Sequence, residues 1–247
     1  MMRERKVAIR NASGERLVGL ETLPAAPSVK AVLLVHGFGV TKSEDGMFDT
    51  LAAHLAEAGF TAFRFDFSGC GESDGDYVGT TLSKQRDDLR DMLSFVRERG
   101  AGKVGILAQS FGTAVTLALS PEVDAMVLMG SIAHPKEVIA ALFGKEYHPE
   151  GVSAARRSDG GVTRLGPRFW PDIARLDLIA CVARIQCPKL FIHGSADDIV
   201  PLGEMEALFT AAPEPKERLI LEGADHGLRP KREEMYRAAE QWFTRWL

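Results

Sequence analysis

Ser110 is the residue whose surroundings point most directly to chemistry in this sequence of 247 residues. It stands in the stretch "GILAQSFGTA", between a strand-like apolar run and a run of small residues that suit a helix. The pattern small-x-Ser-x-Gly in "AQSFG" is typical of a sharp strand-to-helix turn. Such a turn exposes the serine hydroxyl and directs the next amide, that of Phe111, toward a developing negative charge. The sequence therefore predicts a nucleophilic serine, although Ala108 stands where this pattern usually has glycine.

A serine nucleophile needs a neighbouring base, and the base needs an acceptor on its far nitrogen. His226, in "LEGADHGL", follows the last predicted strand, and its loop is expected at the same edge of the sheet as Ser110. Asp197 and Asp198, in "FIHGSADDIVP", follow the preceding strand, and the order Ser, Asp, His is the one that accompanies this turn motif. Asp225 is a weaker candidate because adjacent side chains do not easily point at each other.

The loop after the third strand, "LLVHGFGVT", is expected to supply a second anion donor. The amide of Phe38 is the candidate, facing the same pocket as the amide of Phe111. His36 is interpreted as a structural residue that holds this loop. His54, in a predicted helix, and His134 and His148, in an irregular segment, are interpreted as ordinary surface residues.

Strands and helices alternate along most of the chain. Continuous apolar runs predict strands that are buried on both faces: "KAVLLVHG", "FTAFRFDFSG", "KVGILAQS", "VDAMVLMGS" and "CPKLFIHGS". Helical spacing separates them, as in "MFDTLAAHLAEAG" and in the C-terminal "REEMYRAAEQWFTRWL". This alternation predicts an α/β protein with a mostly parallel twisted sheet flanked by helices, preceded by two short strands around "NASGE".

Residues 133–187 interrupt this alternation with a segment rich in Gly, Pro, His and Arg. Because the segment lies between two predicted strands, it is interpreted as an insertion on one edge of the sheet. Four aromatic residues make it too apolar for a solvated linker: Phe143, Tyr147, Phe169 and Trp170.

Composition narrows the function classes. A net charge of −4 argues against nucleic acid or an anionic membrane as partner. No stretch approaches the roughly 18 apolar residues of a membrane span, and the N-terminal stretch lacks a signal-peptide pattern, which predicts a cytoplasmic protein. Three cysteines without a CxxC motif favour reduced thiols, and the histidines form no HExxH or HxH pair, so no metal is expected.

Five motifs taken together resemble those of the α/β-hydrolase superfamily, over essentially the full length of the chain. They are "VHGFG", "FDFSGCGES", "AQSFG", "IHGSADDIVP" and "GADHG", in the family's order. The chain looks most like small bacterial esterases of the cinnamoyl and feruloyl type, whose insertion between the sixth and seventh strands forms a lid. The resemblance implies a hydrolase core from residues 1–132 and 188–247, with a small helical lid, residues 133–187, inserted after the sixth strand.

The resemblance also implies roles for single residues: Ser110 as nucleophile, His226 as base and Asp197 as its acid partner. The family's HG-x-x-D-x-x-V-P pattern begins at His193, which favours Asp197 over Asp198. Cys70 stands where many members have histidine in a G-H-G turn, and this departure is expected to reshape the pocket floor.

The predicted function is hydrolysis of small carboxylic esters through an acyl-enzyme on Ser110, with the amides of Phe38 and Phe111 holding the oxyanion and with no cofactor. Alternatives on the same triad are a thioesterase, an acylglycerol lipase, an aminopeptidase or an acyltransferase. A different class, a ligand-binding protein without activity, also stays open, as does a homodimer.

The substrate is expected to carry a short or aromatic acyl group. Phe169 and Trp170, in "PRFWPD", lie between two prolines that limit backbone freedom and could present a fixed ring to a planar group. Alternatively, the two rings only anchor the insertion to the core. Four arginines of the insertion could bind a substrate carboxylate, although surface arginines are usually solvated: Arg156, Arg157, Arg164 and Arg168.

Overall fold

The computed structural model describes residues 3–156 and 161–247. Within these ranges the strands are β1 (Arg3–Arg10), β2 (Arg16–Leu23), β3 (Lys30–Val35), β4 (Thr61–Phe65), β5 (Lys103–Gln109), β6 (Ala125–Met129), β7 (Ser153–Arg156), β8 (Val162–Leu165), β9 (Lys189–Gly194) and β10 (Lys216–Leu221). The α-helices are α1 (Met47–Glu57), α2 (Leu82–Glu98), α3 (Phe111–Leu119), α4 (Pro135–Phe143), α5 (Phe169–Ile173), α6 (Leu178–Val182), α7 (Leu202–Ala211) and α8 (Arg232–Trp246).

Eight of these strands form one sheet in the order β1-β2-β4-β3-β5-β6-β9-β10. β1 and β2 pair antiparallel, and the strands from β4 to β10 in this order run parallel. The carboxyl ends of the parallel strands therefore meet at one edge of the sheet, where open α/β folds bind their ligands. This arrangement confirms the predicted α/β fold with a mostly parallel sheet flanked by helices.

Successive side chains of the central strands point to opposite faces of the sheet, so each strand contributes to two separate cores. In β3, Leu33 and Val35 belong to the core beneath α2 and α3, whereas Val32 and Leu34 belong to the core beneath α1 and α8. Burying one such side chain contributes roughly 1.5–3 kcal/mol. A strand that is apolar on both faces can be stable only between two helical layers, which is why the sequence alternates strands with helices.

Residues 133–187 lie between β6 and β9, which are neighbours inside the sheet. The segment therefore leaves the sheet at the carboxyl end of an interior strand rather than beside an edge strand. The described part contains α4, α5 and α6, and also the antiparallel pair β7 and β8, so it is not purely helical as predicted. Each of these strands has four residues, too few for alternation in the sequence to reveal them.

Candidate active site

Ser110 occupies the turn between β5 and α3, with φ 53° and ψ −122°. A positive φ is unusual for a non-glycine residue, and such strain costs on the order of 1–3 kcal/mol and persists only where the surroundings enforce it. Here the Ser110 amide donates to the carbonyl oxygen of Met129 at 2.8 Å, and the Ser110 carbonyl oxygen accepts from Thr113 N at 2.9 Å and Thr113 Oγ1 at 2.6 Å. The serine is thus fixed at the carboxyl edge of the sheet, as the sequence pattern predicts.

Small residues flank this turn because backbone passes close to it on both sides. A Cβ on Gly112 would lie 2.6 Å from the carbonyl oxygens of Val35 and His36, well inside contact distance. Ala108, the departure from the usual glycine, is fully buried in β5, so one methyl group is accommodated there.

The two residues whose amides are the candidate anion donors lie on neighbouring segments of the chain. Phe111 is the first residue of α3, so its amide is one of the N-terminal N–H groups that a helix leaves without an intrahelical partner. The loop that carries Phe38 passes directly beside the serine. A Cβ placed on Gly37 would lie only 3.3 Å from Ser110 Cβ. The Phe38 and Phe111 rings meet edge to face, with centroids 5.8 Å apart.

His226 Nδ1 lies 2.8 Å from Asp197 Oδ2, across 29 positions of sequence. The Asp197 side chain is 1% exposed, and its Oδ1 accepts hydrogen bonds from Ile199 N at 3.0 Å and Val200 N at 2.8 Å. Burial alone would raise the pKa of Asp197, but the hydrogen bond and charge of His226, together with the two amides, lower it below its ordinary value. The carboxylate is therefore ionised and oriented toward the imidazole.

The rival acids occupy other environments. Asp198 is exposed, next to Asp197 in sequence. Asp225 Oδ1 accepts a hydrogen bond of 2.7 Å from Arg229 N and so closes a local turn. The structure thus places Asp197, rather than its rivals, against the histidine.

Two residues that sequence reasoning missed hold the His226 loop beside the serine. Gln109 Nε2 donates a hydrogen bond of 2.9 Å to the carbonyl oxygen of His226. Gly130, with φ 53°, lies under the imidazole, and a Cβ there would come within 3.2 Å of His226 Cε1. Gln109 immediately precedes Ser110 in the turn motif, and that position was the only signal the sequence offered.

His36 has the structural role that its position predicts. It is buried, its Nε2 accepts a hydrogen bond of 3.1 Å from Phe67 N, and its Nδ1 lies 2.9 Å from the carbonyl oxygen of Gly37. Burial lowers its pKa to about 4, against the opposing effect of the Gly37 carbonyl, so the ring is neutral. With Nε2 accepting, Nδ1 carries the proton and donates to Gly37, which ties the loop to the strand.

Phe169 and Trp170 are buried side chains rather than open faces. Phe169 has no exposed surface, and its ring centroid lies 5.8 Å from that of Phe111 and 6.3 Å from that of Phe38. Trp170 is 3% exposed and packs edge to face against Tyr147 at 4.6 Å. In this conformation both rings anchor the insertion, and Phe169 does so directly against the candidate anion site.

The arginines proposed to bind a substrate carboxylate lie at the surface where the structure describes them. Arg156, Arg164 and Arg168 are exposed, and Arg157 lies outside the described residues. Arg164 borders a cavity of about 360 Å³ between β8, the loop after β3 and the loop after β4. Its walls include Gly39, Cys70, Tyr77, Val162 and Thr163.

Two further findings concern the described residues as a whole. No group of three or more His, Cys, Asp or Glu side chains among them is arranged to hold a metal ion. None of their helices is both long enough and apolar enough to cross a membrane.

Comparison with known proteins gives concordant matches. The model of the alpha/beta hydrolase family matches residues 32–238. The chain is 28% identical to the uncharacterized protein YfhR of Salmonella typhimurium, over 81% of this chain and 65% of YfhR. It is also 28% identical to the mitochondrial palmitoyl-protein thioesterase ABHD10 of Homo sapiens, over 58% of this chain and 49% of that protein. The chain thus spans about half to two thirds of the length of these relatives.

Solved structures resemble the chain over nearly its whole length. An esterase domain from a Rhodothermus marinus protein has a TM-score of 0.76 and 25% identity, covering 98% of this chain and 99% of that domain. Est1E of Butyrivibrio proteoclasticus, solved with ferulic acid, has a TM-score of 0.86 and 19% identity, covering 97% of this chain and 98% of Est1E. At that identity the second match shows a shared fold.

Proposed function

Since this chain belongs to the alpha/beta hydrolase family, we propose that it is a serine hydrolase of small carboxylic esters. The observation that carries the proposal is the 2.8 Å contact of His226 Nδ1 with Asp197. The loop that carries His226 is hydrogen-bonded to Gln109, the residue next to the strained Ser110. A nucleophile, a base and an acid that orients the base are the three groups that acyl transfer requires.

In the proposed reaction, His226 Nε2 takes the proton of Ser110 Oγ as the oxygen attacks the ester carbonyl carbon. Asp197 orients the ring and stabilises the imidazolium that forms. The amides of Phe38 and Phe111 bind the carbonyl oxygen as it becomes negative. His226 returns the proton to the leaving alcohol, and water then releases the acid from the acyl-enzyme by the same steps.

The oxyanion site is proposed from the position of two backbone segments. Phe38 follows Gly37, whose backbone borders the serine side chain, and Phe111 begins α3. Donors of this kind act strongly where water is excluded, and removing one typically costs about 10²- to 10³-fold in kcat. The rings of Phe38, Phe111 and Phe169 pack against one another on this side of the site.

A short or aromatic acyl group fits the surroundings best. Large buried rings of the insertion crowd the side of the site next to Phe111, which favours a compact acyl group. Residues 133–187 would act as the lid that limits substrate size. Cytoplasmic location and a homodimer stay predictions.

A thioester is the second candidate substrate, because the chain is similar to a palmitoyl-protein thioesterase over 58% of its length. The same nucleophile, base and anion donors serve either ester, since both react through a tetrahedral intermediate. Paired assays with an oxygen ester and a thioester of the same acyl group distinguish the two.

The deciding experiment is hydrolysis of p-nitrophenyl acetate by the wild-type protein and by Ser110→Ala. We expect the variant to fold and to lose about 10⁴-fold or more in kcat, because removing a triad member disables the whole unit. A wild-type protein without activity would favour a ligand-binding role. A Ser110→Ala variant with half the activity would show that another group is the nucleophile.

A further inference from the structure

The Glu44 carboxylate and the Ser110 side chain both lie close to the Gly37 backbone. Its Oε2 accepts a hydrogen bond of 2.7 Å from Gly37 N. A Cβ placed on Gly37 would be 3.4 Å from Glu44 Oε1 and 3.3 Å from Ser110 Cβ, so the carboxylate and the serine side chain border the same point. Glu44 thus holds the residue that precedes the candidate anion donor Phe38.

The backbone around Glu44 is strained. Glu44 and Asp45 have φ of 46° and 54°, and both are non-glycine residues in the left-handed region. The turn is fixed by hydrogen bonds from Glu44 N to the Thr41 carbonyl oxygen at 2.9 Å and from Met47 N to the Glu44 carbonyl oxygen at 3.1 Å. Strain of this kind concentrates at functional sites, where it aims a side chain.

The same turn contacts the loop of the candidate base. Asp45 forms an ion pair with Arg229, and the Asp45 carbonyl oxygen accepts a hydrogen bond of 3.3 Å from Arg232 Nη1. Arg232 in turn donates through Nε to the carbonyl oxygen of Gly227, next to His226, at 2.8 Å. The turn therefore bridges the loop that carries Phe38 and the loop that carries His226.

Burial and the neighbouring charges place the ionisation of Glu44 near neutral pH. Burial raises the pKa of Glu44 to about 7, and the negative charge of Asp45 on the same turn raises it slightly further. The hydrogen bond from Gly37 lowers the pKa but does not cancel the effect of burial. The positive charges that face it, His226 from the loop after β10 and Arg232 from α8, act in the opposite direction. The ionised form is thus favoured whenever His226 is protonated.

From this geometry we infer that Glu44 is a positioning residue of the catalytic site. Its carboxylate binds the Gly37 amide and thereby positions the loop that presents the Phe38 amide to the oxyanion. Its negative charge faces His226 as the imidazolium forms. The inference rests on the proposed serine-hydrolase function and adds a second acid, distinct from Asp197, that acts on the base. Glu44 bonds to no reacting atom in this scheme.

The kinetic test compares three variants over pH values from about 5 to about 9. Glu44→Gln keeps an acceptor oxygen for Gly37 but removes the charge, Glu44→Ala removes both, and Glu57→Gln changes an exposed acid at the end of α1 as the control. We expect Glu44→Gln to lower kcat for p-nitrophenyl acetate by about tenfold with little change in KM, and Glu44→Ala to lower it further. The wild-type acid limb should contain an ionisation near pH 7 that the Glu44→Gln limb lacks. The control should match wild type.

A readout that does not depend on turnover keeps the inference separate from the proposed function. In the Ser110→Ala background, the side-chain carbon of Glu44 and the amide of Gly37 should titrate together by NMR near pH 7. The midpoint should rise in His226→Ala, because a favourable positive charge is lost. A Gly37 amide whose chemical shift does not follow the ionisation of Glu44, or a Glu44 midpoint unmoved by His226→Ala, would overturn the inference. So would a Glu44→Gln variant that is less stable but keeps the wild-type pH profile. Absence of Ser110-dependent turnover, with the titrations as expected, would overturn the proposed function instead.

Discussion

Gln109 Nε2 donates a 2.9 Å hydrogen bond to the carbonyl oxygen of His226, across 117 positions of sequence. The donor is the last residue of β5, and its neighbour is the candidate nucleophile. This side chain thus helps to fix the separation between the strand that carries Ser110 and the loop that carries the base. That separation decides whether proton transfer can occur.

Gln109→Ala is expected to lower kcat by about tenfold while the protein stays folded. Loss of the hydrogen bond frees the His226 loop, and one such bond contributes roughly 1 kcal/mol. Steady-state kinetics with a p-nitrophenyl ester and a thermal melt measure the two effects. Gln186→Ala, at an exposed position of the insertion, serves as control and should leave both unchanged. Wild-type kcat in Gln109→Ala would show that the loop holds its position without this contact.

Asp197→Asn is expected to lower kcat by about 10³- to 10⁴-fold, because the amide cannot orient and charge-stabilise the imidazole as the carboxylate does. Asp198→Asn, at the exposed neighbouring position, should stay within about twofold of wild type. Kinetics of the two purified variants under the same conditions decide between them. Equal losses, or the reverse order, would remove Asp197 from the proposed triad.

The ionised Asp197 also predicts how stability depends on pH. Its pKa is lowered in the folded protein, so it stabilises the fold at pH values above its ordinary value of 3.8 and loses this contribution as pH falls through the folded pKa. The difference in free energy of unfolding between wild type and Asp197→Asn should therefore be largest near neutral pH and shrink below about pH 4. Urea titrations at several pH values measure it. A difference that grows on acidification would contradict the lowered pKa.

Gly112→Ala is expected to destabilise the protein by about 1–3 kcal/mol, because the new methyl group would press on the carbonyl oxygens of Val35 and His36. Gly203→Ala is the matched control. Gly203 lies in α7 with nothing within 4 Å of an added Cβ, so alanine there should stabilise the helix by about 0.5–1 kcal/mol. Denaturant titrations should give changes of opposite sign. A neutral Gly112→Ala would mean that the turn relaxes easily.

Acyl-chain preference tests the role of the insertion. With acetyl, butyryl, palmitoyl and methyl ferulate esters, we expect preference for the short or aromatic substrates, since buried rings crowd the candidate site. Trp170→Ala should reduce ferulate turnover more than acetate turnover if the ring shapes an aromatic subsite. Equal effects on both esters would leave Trp170 as an anchor, and preference for palmitoyl would reject the compact-ester proposal.

Local patterns in the sequence were enough to predict the sheet, the sharp turn at Ser110 and the structural role of His36. Buried strands and strand-to-helix turns impose residue types over a few consecutive positions, so one strand such as "KVGILAQS" already carries the information. The two short strands of the insertion escaped notice because four residues do not establish a period.

The folded chain alone decided the side-chain directions. Asp197 and Asp198 are neighbours of the same type, yet one faces His226 and the other faces solvent. The folded chain buries Phe169 and Trp170, and a turn with positive φ at Glu44 and Asp45 brings the Glu44 carboxylate to the Gly37 amide. A sequence records residue type and spacing along the chain. Contacts such as that of Gln109 with His226 depend instead on how strands far apart in sequence align, and the shared packing of the whole sheet fixes that alignment.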